Sequence, residues 1–172
     1  MSRPRLFRLL FAFVSIGILV FDQATKEWIT SRMALYSSVP VVPGLINLTL
    51  VTNTGALFGM FRDIADPYRT VMFLAVPVVA ITLILYFQYR TSALELTTQS
   101  GLALILGGAV GNLIDRLRFG HVVDFVDVFV GEHHWPAFNV ADSAICVGVS
   151  LLFIDLLRQS RRSQTAASPP GA

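Results

Sequence analysis

The sequence is poor in charged residues and in the side chains that build covalent or thiolate sites. Only 14% of its 172 residues are Asp, Glu, Lys or Arg, against about 25% in soluble domains. Thirteen basic and eleven acidic residues leave a net charge of +2, which does not favour a nucleic-acid-binding surface. The single cysteine, Cys146, excludes an internal disulfide and a thiolate metal cage.

Apolar residues dominate instead, at 54% of the chain with a mean hydropathy of +0.65. Four apolar segments are long enough to cross about 30 Å of hydrocarbon at about 1.5 Å per residue, and the second and third of them carry no charge. We therefore predict an all-α membrane protein with a single integral membrane domain over residues 1–162. The predicted transmembrane helices are about 6–28, 70–89, 96–114 and 138–157. The polar residues 163–172 are predicted to form a disordered tail.

Residues 39–61, between the first two helices, are predicted to form a strand and turn segment. Prolines and glycines interrupt any helix there, and residues 46–50 alternate with period two. Because open strands cannot face lipid, we expect this segment on the extracytoplasmic surface of the bundle. Basic residues concentrate in the short segments that contain Arg3, Arg90 and Arg158, which predicts that both termini are cytoplasmic.

Polar side chains lie in or beside the spans, where a charged group costs at least about 2.5 kcal/mol to insert. They are therefore candidates for function. The clusters are DQATK with Asp22 and Lys26, NTGALFG with Asn53, GGAVGNLIDR with Gly107, Asn112, Asp115 and Arg116, and VVDF and FNVADS with Asp124, Asn139 and Asp142.

Each cluster also has a purely structural interpretation. Asp22 and Lys26 are one helical turn apart and can form a surface pair, and a tight turn explains Asn53. Gly107 and Gly111 have the spacing of a close helix–helix contact. Near the other end of the fourth span, Asp155 is expected to pair with Arg158 at the membrane surface.

Asp124 and Asp142 are predicted to lie at the same membrane depth. Two carboxylates in a poorly solvated site share one proton, so that one is a base and the other an acid near neutral pH. Such a pair can activate water against an amide. The structural alternatives are a solvated loop acid for Asp124 and a charge at a helix N-terminus for Asp142.

Three other chemistries compete with this interpretation. A metal site would use His121, His133 and His134, but their spacing is poor and no H-E-x-x-H helix occurs. Ser143 lacks the G-x-S-x-G turn of a serine nucleophile. A small proton-coupled transporter would need acids at several depths. We predict no metal and no cofactor.

The five motifs, in this order from position 22 to position 143, resemble the lipoprotein signal peptidase family, also called signal peptidase II. The resemblance implies a monomeric aspartyl endopeptidase of the bacterial cytoplasmic membrane, with its active site near the outer face. Its partners would be membrane lipid and prolipoproteins, which it cleaves before a diacylglyceryl-modified cysteine. Asp124 and Asp142 correspond to the catalytic dyad. The residues that correspond to substrate-binding or supporting positions are Asp22, Lys26, Asn53, Gly107, Asn112, Asp115, Arg116 and Asn139. The segment 53–61, with glycines at 55 and 59, is hypothesised to close over the site as a lid.

Overall fold

The computed structural model describes residues 3–54, 66–92 and 95–167. This part of the chain contains four helices, α1 (Arg3–Thr30), α2 (Asp66–Arg90), α3 (Leu96–Phe119) and α4 (Val140–Ala167). Each includes a stretch long and apolar enough to cross a membrane. The predicted architecture of four membrane-spanning helices with a small sheet is confirmed.

The third helix lies at the centre of the bundle and contacts the other three. Half of its span is buried, whereas most of the residues in the other spans are exposed. Glycines permit this central position, because a Cβ on Gly107 would lie 2.6 Å from the Ser15 carbonyl oxygen of α1. A Cβ on Gly101 would lie 2.9 Å from the Gly148 carbonyl oxygen of α4. The backbones of α1 and α4 therefore pack directly against α3.

A four-stranded antiparallel sheet covers one end of the bundle. Its strands are β1 (Ser38–Val42), β2 (Ile46–Asn53), β3 (Val122–Val130) and β4 (His133–His134), in the order β1-β2-β3-β4. Apolar side chains between the sheet and the end of α1 form a small core of Ile29, Leu50, Val123 and Phe125. The sheet is thereby fixed to the helices.

Only the first two strands belong to the predicted strand segment. The region before the fourth helix was predicted as a connection, yet it supplies β3 and β4, with β3 paired to β2 from Ile46↔Val128 to Asn53↔Val122. The local sequence VVDFVDVFV is rich in strand-favouring residues. Its partner strand is distant in the chain, so the pairing itself depends on tertiary structure. Residues 55–61, including most of the hypothesised lid, lie outside the described residues.

The third and fourth helices differ from the prediction at their ends. The third helix continues past residue 114 to Phe119. Gly120 ends it in the left-handed conformation, at φ 76°, with its N–H bonded to the Arg116 carbonyl oxygen. The fourth helix begins at Val140 rather than at residue 138, since Phe138 bridges to Val126 in β3. The fourth helix continues to Ala167, so it extends into the segment 163–172 that the sequence predicts as a tail.

The ion pair expected between Asp155 and Arg158 is absent from the described part of the chain. Asp155 Oδ2 instead accepts hydrogen bonds from Thr98 Oγ1 at 2.6 Å and Gln159 Nε2 at 2.9 Å. The contact with Thr98 joins α3 to α4 at the end of the bundle opposite the sheet.

Candidate active site

The predicted site residues meet where the bundle joins the sheet. The C-terminal ends of α1 and α3, the N-terminus of α4, the end of β2 and the start of β3 converge there. Buried polar residues are concentrated at this junction. They are Asp22, Lys26, Asn112, Asp115, Asp124 and Asn139.

Asp142 is held at the N-terminus of α4 by Asn139, the residue just before the helix. Asn139 Oδ1 accepts the main-chain N–H of Asp142 at 2.9 Å. Asp142 Oδ2 accepts the main-chain N–H of Asn139 at 3.2 Å. This is a reciprocal cap of the kind formed by a capping box. Asn112 of α3 donates from Nδ2 to Asp142 Oδ1 at 2.8 Å, so both carboxylate oxygens are oriented.

Asp124 lies on β3, and only 2% of it is exposed. Its Oδ1 accepts a hydrogen bond from Asn139 Nδ2 at 2.7 Å, and its Oδ2 accepts one from Asn53 Nδ2 at 2.9 Å. Burial raises the pKa of Asp124 to about 6, against the lowering effect of the Asn53 hydrogen bond. The negative charge of Asp142 raises it further. Asn139 therefore bonds both aspartates, which lie close enough to interact electrostatically.

A buried charged cluster supports the site from the side of α1. Lys26 Nζ lies 2.8 Å from Asp22 Oδ2 and 2.8 Å from Asp115 Oδ2. It also donates to Asn112 Oδ1 at 3.0 Å. The surface pair considered for Asp22 and Lys26 is wrong, because both side chains are buried and Lys26 also pairs with Asp115 on α3.

Gln23 belongs to the same cluster, although sequence reasoning did not select it. Its Nε2 donates to Asp115 Oδ1 at 2.9 Å and lies 3.2 Å from Asp22 Oδ2 and 3.3 Å from the Gly111 carbonyl oxygen. Its position in DQATK could have indicated this role, because a polar amide in a membrane helix requires hydrogen-bond partners on neighbouring helices.

Gly107 does not reach the two aspartates. It packs against Ser15 and Ile18 of α1, which agrees with the helix-contact interpretation of its spacing. One turn further, a Cβ on Gly111 would lie 2.6 Å from Asp22 Oδ2. The glycines of α3 thus make room for the helix and for the charged cluster above it.

A groove with a volume of about 1040 Å³ opens beside Asp142. Its walls are mainly apolar side chains of α2, α4 and the segment before α4, including Phe73, Val76 and Phe138. Its polar lining residues are Asn53, Arg116, Asp142 and Ser143. Arg116 donates from Nη1 to the Asn112 carbonyl oxygen at 3.1 Å, and its Nε is buried without a hydrogen-bond partner in the described structure. An apolar chain that carries a polar linkage at one end fits such a groove.

His134 and Ser143 have other partners. His134 Nδ1 lies 2.8 Å from Asp127 Oδ1, and its ring stacks on Phe129. Ser143 Oγ donates to the Asn139 carbonyl oxygen at 3.0 Å. Among the residues that the structure describes, no three or more His, Cys, Asp or Glu side chains are grouped as ligands for a metal ion.

Fold and site together define a multi-pass membrane protein with paired carboxylates at one end of its helix bundle. The sequence profile described as "Signal peptidase (SPase) II" matches residues 14–158. The chain belongs to this family, the lipoprotein signal peptidases, as its motifs indicated.

Named relatives and solved structures agree with this assignment. The lipoprotein signal peptidase of Geobacter sulfurreducens is 48% identical over 153 residues, which cover 89% of this chain and 94% of the relative. That of Syntrophus aciditrophicus is 40% identical, covering 89% and 95%. Two solved structures, each described as a bacterial membrane enzyme determined by the in meso method, have TM-scores of 0.77 and 0.80. They are 32% and 29% identical and cover 86% and 95% of this chain, and 92% and 94% of their own. The chain is therefore a multi-pass bacterial membrane protein of a protease family.

Proposed function

We propose that this protein is an aspartyl endopeptidase that removes signal peptides from prolipoproteins by cutting before a diacylglyceryl-modified cysteine. The observation that carries the proposal is the arrangement of Asp124 and Asp142 around Asn139. Two carboxylates from different elements are held together by one amide residue. This arrangement supports a pair of carboxyls that could act together on one water molecule.

Peptide hydrolysis then proceeds by exchange of protons between the two carboxyls. The ionised aspartate takes a proton from water as the oxygen attacks the scissile carbonyl carbon, and the protonated one gives its proton to the carbonyl oxygen. The tetrahedral intermediate collapses when its carbon–nitrogen bond breaks. The departing amine takes a proton from the aspartate that received one from water, and the other aspartate recovers its own from the intermediate.

The groove beside Asp142 supports a lipidated substrate. A signal peptide is a membrane helix whose scissile bond must be unwound before water can attack, and this exposes its carbonyl groups. Arg116 lines the groove and carries donors suited to such carbonyls. The apolar walls formed by Phe73, Val76 and Phe138 suit acyl chains or an apolar peptide.

The orientation and the assembly follow from the same proposal. The four spans among the described residues put the start of α1 and the end of α4 on the same side of the membrane. The basic residues near both ends favour the cytoplasm. The dyad would then face the outer leaflet, where it acts within a monomer. Closure of the 53–61 segment stays a prediction. Crosslinking this segment to α3 should stop turnover.

A cleavage assay with defined substrates tests the proposal. The purified protein in detergent is incubated, with a chelator present, with a prolipoprotein that carries diacylglyceryl on its cysteine. Mass spectrometry then locates the cut. The unlipidated precursor and the variants Asp124→Asn and Asp142→Asn serve as controls.

We expect a cut immediately before the modified cysteine, only in the lipidated form, and none with either variant. Turnover by a variant with one aspartate removed would contradict the dyad. Sensitivity to the chelator would bring His121, His133 and His134 back as metal ligands. A folded protein without cleavage activity would favour the transporter alternative.

A further inference from the structure

We propose that Lys26 is a positioning residue that fixes the separation of Asp124 and Asp142 by joining the two chain segments that carry them. The inference rests on the proposed function, since it requires these two aspartates to act together. The Lys26 ammonium bonds neither of them directly. It acts through Asp22 and Asp115, each of which holds the main chain beside one member of the dyad.

On the side of β3, Asp115 holds the residue just before Asp124. Asp115 Oδ2 accepts the main-chain N–H of Val123 at 3.2 Å. Both residues of this contact are buried, so the hydrogen bond is shielded from water. The start of β3 is therefore tied to the end of α3 at the position that sets where Asp124 lies.

On the side of α4, Asp22 has the equivalent role. Asp22 Oδ1 accepts the main-chain N–H of Ala141, the residue just before Asp142, at 2.9 Å. Asp22 and Ala141 are both 0% exposed. The first turn of α4 is therefore tied to α1 at the position that sets where Asp142 lies.

Lys26 connects these two anchors. Its Nζ lies 2.8 Å from Asp22 Oδ2 and 2.8 Å from Asp115 Oδ2. The same nitrogen donates to Asn112 Oδ1 at 3.0 Å, which orients the Asn112 amide so that Nδ2 donates to Asp142 at 2.8 Å. A single ammonium group thus fixes both main-chain anchors and the orientation of an amide that bonds the dyad.

The choice of residue at this position agrees with such a role. Lys26 is the only lysine in the chain, where the other twelve basic residues are arginines. An ammonium group has three donors that point in different directions, whereas the donors of arginine lie in one plane. The three partners of Lys26 use all three donors.

The test must remove the connection without changing the net charge of the buried cluster. Lys26→Met alone leaves two buried carboxylates without their cation and endangers folding. The double variant Asp22→Asn/Lys26→Met removes one charge of each sign and keeps an oxygen that can accept the Ala141 N–H. Glu27→Gln is the matched control, because Glu27 is the next residue on α1 and is exposed.

For the double variant we expect kcat to fall by about 100-fold, the loss associated with a displacement of about 1 Å in a catalytic geometry. The substrate groove is intact, so KM should change less than about threefold, which indicates that binding is preserved. Thermal unfolding confirms that the variant is folded. Glu27→Gln should match the wild type in both constants.

The pH profile separates positioning from a general loss of structure. The charged groups that face Asp124 are Asp142 of α4, Lys26 of α1 and Arg116 of α3, while β2 contributes the uncharged Asn53. Loss of the Lys26 cation alone removes a group that lowers the pKa of Asp124. As the pH is lowered, folded Lys26→Met should therefore begin to lose activity at a higher pH than the wild type. The double variant should show a shift in the same direction, because it lacks the same cation.

Two results would overturn the inference: a folded double variant with kcat within about threefold of the wild type, or a loss confined to KM. Asp124→Asn and Asp142→Asn are assayed in parallel to separate the two proposals. If these single variants are inactive while the double variant is fully active, only the positioning role fails. If either single variant turns over substrate, the dyad itself fails.

Discussion

Asn139 and Asp142 cap the first turn of α4 reciprocally, each accepting the main-chain N–H of the other through a side-chain oxygen, at 2.9 and 3.2 Å. The amide nitrogen of Asn139 is left to bond Asp124 at 2.7 Å. One residue therefore begins the helix and orients both carboxylates. The start of α4 and the relative placement of Asp124 and Asp142 are therefore a single structural feature.

The two roles of Asn139 can be separated by substitution. Asn139→Ser keeps an oxygen that can cap the helix but has no amide to donate to Asp124, and Asn139→Ala lacks both. We expect both variants to lose turnover by a similar factor, at least tenfold. Since a capping side chain contributes about 1 kcal/mol, the Ser variant should be the more stable by that amount in chemical unfolding. If the Ser variant alone had the turnover of the wild type, the hydrogen bond from the Asn139 side-chain amide to Asp124 would be dispensable.

Activity should decline on the acid side near the pKa of Asp124. Burial raises that pKa to about 6, and a dyad with both carboxyls protonated has no base to accept a proton from water. As the pH falls through about 6, kcat/KM should therefore fall, because this constant reports ionisations of the free enzyme. The measurement is kcat/KM across the pH range with a lipidated substrate. A profile that stays level to about pH 4 would contradict the raised pKa.

The same ionisation should make the free energy of unfolding depend on pH. The dependence is opposite to that of a carboxylate whose pKa is lowered on folding. Because the pKa of Asp124 is raised from 3.8 to about 6 on folding, its contribution is fully present below 3.8 and is lost as the pH rises to about 6. Each pKa unit corresponds to about 1.4 kcal/mol. Chemical unfolding of the wild type and of Asp124→Asn at several pH values measures this. As the pH rises from 3.8 to about 6, the free energy of unfolding of the wild type should fall relative to that of Asp124→Asn.

The sequence predicts the helices and the end of the bundle that carries the site, but not how the site is connected. Apolar runs mark the spans because hydrocarbon excludes charge. Polar residues at or between the ends of the spans, among them Asp124 and Asp142, indicate the candidate site. The spacing of residues along α1 predicts a pair between Lys26 and Asp22 only. The second carboxylate that contacts Lys26, that of Asp115, is on α3. The packing of α1 against α3 creates that contact, and no periodicity in either helix predicts it.

A methyl group added to α3 at Gly111, beside the charged cluster on α1, should destabilise the protein. In Gly111→Ala the new Cβ would lie 2.6 Å from Asp22 Oδ2, so α1 or the carboxylate must move. We expect a loss of about 1 to 3 kcal/mol, typical of overpacking, together with lower turnover. Gly17→Ala is the control within α1, since nothing lies within 4 Å of its added Cβ. This variant should be as stable as the wild type or slightly more so, because alanine favours helix. Equal stability of the two variants would contradict the close contact.

Asp155 separates the peptidase from the transporter interpretation. It lies at the end of α4 opposite the dyad, where it accepts hydrogen bonds from Thr98 and Gln159. A proton relay through the membrane would need an acid at this depth as well as Asp142, whereas hydrolysis at the dyad would not. Asp155→Asn should therefore keep turnover within about twofold. Its stability should fall by about 1 kcal/mol, because the hydrogen bond between α3 and α4 is weakened. The cleavage assay and thermal unfolding measure the two effects. If Asp155→Asn lost cleavage as completely as Asp142→Asn, protons would have to pass the whole length of the bundle.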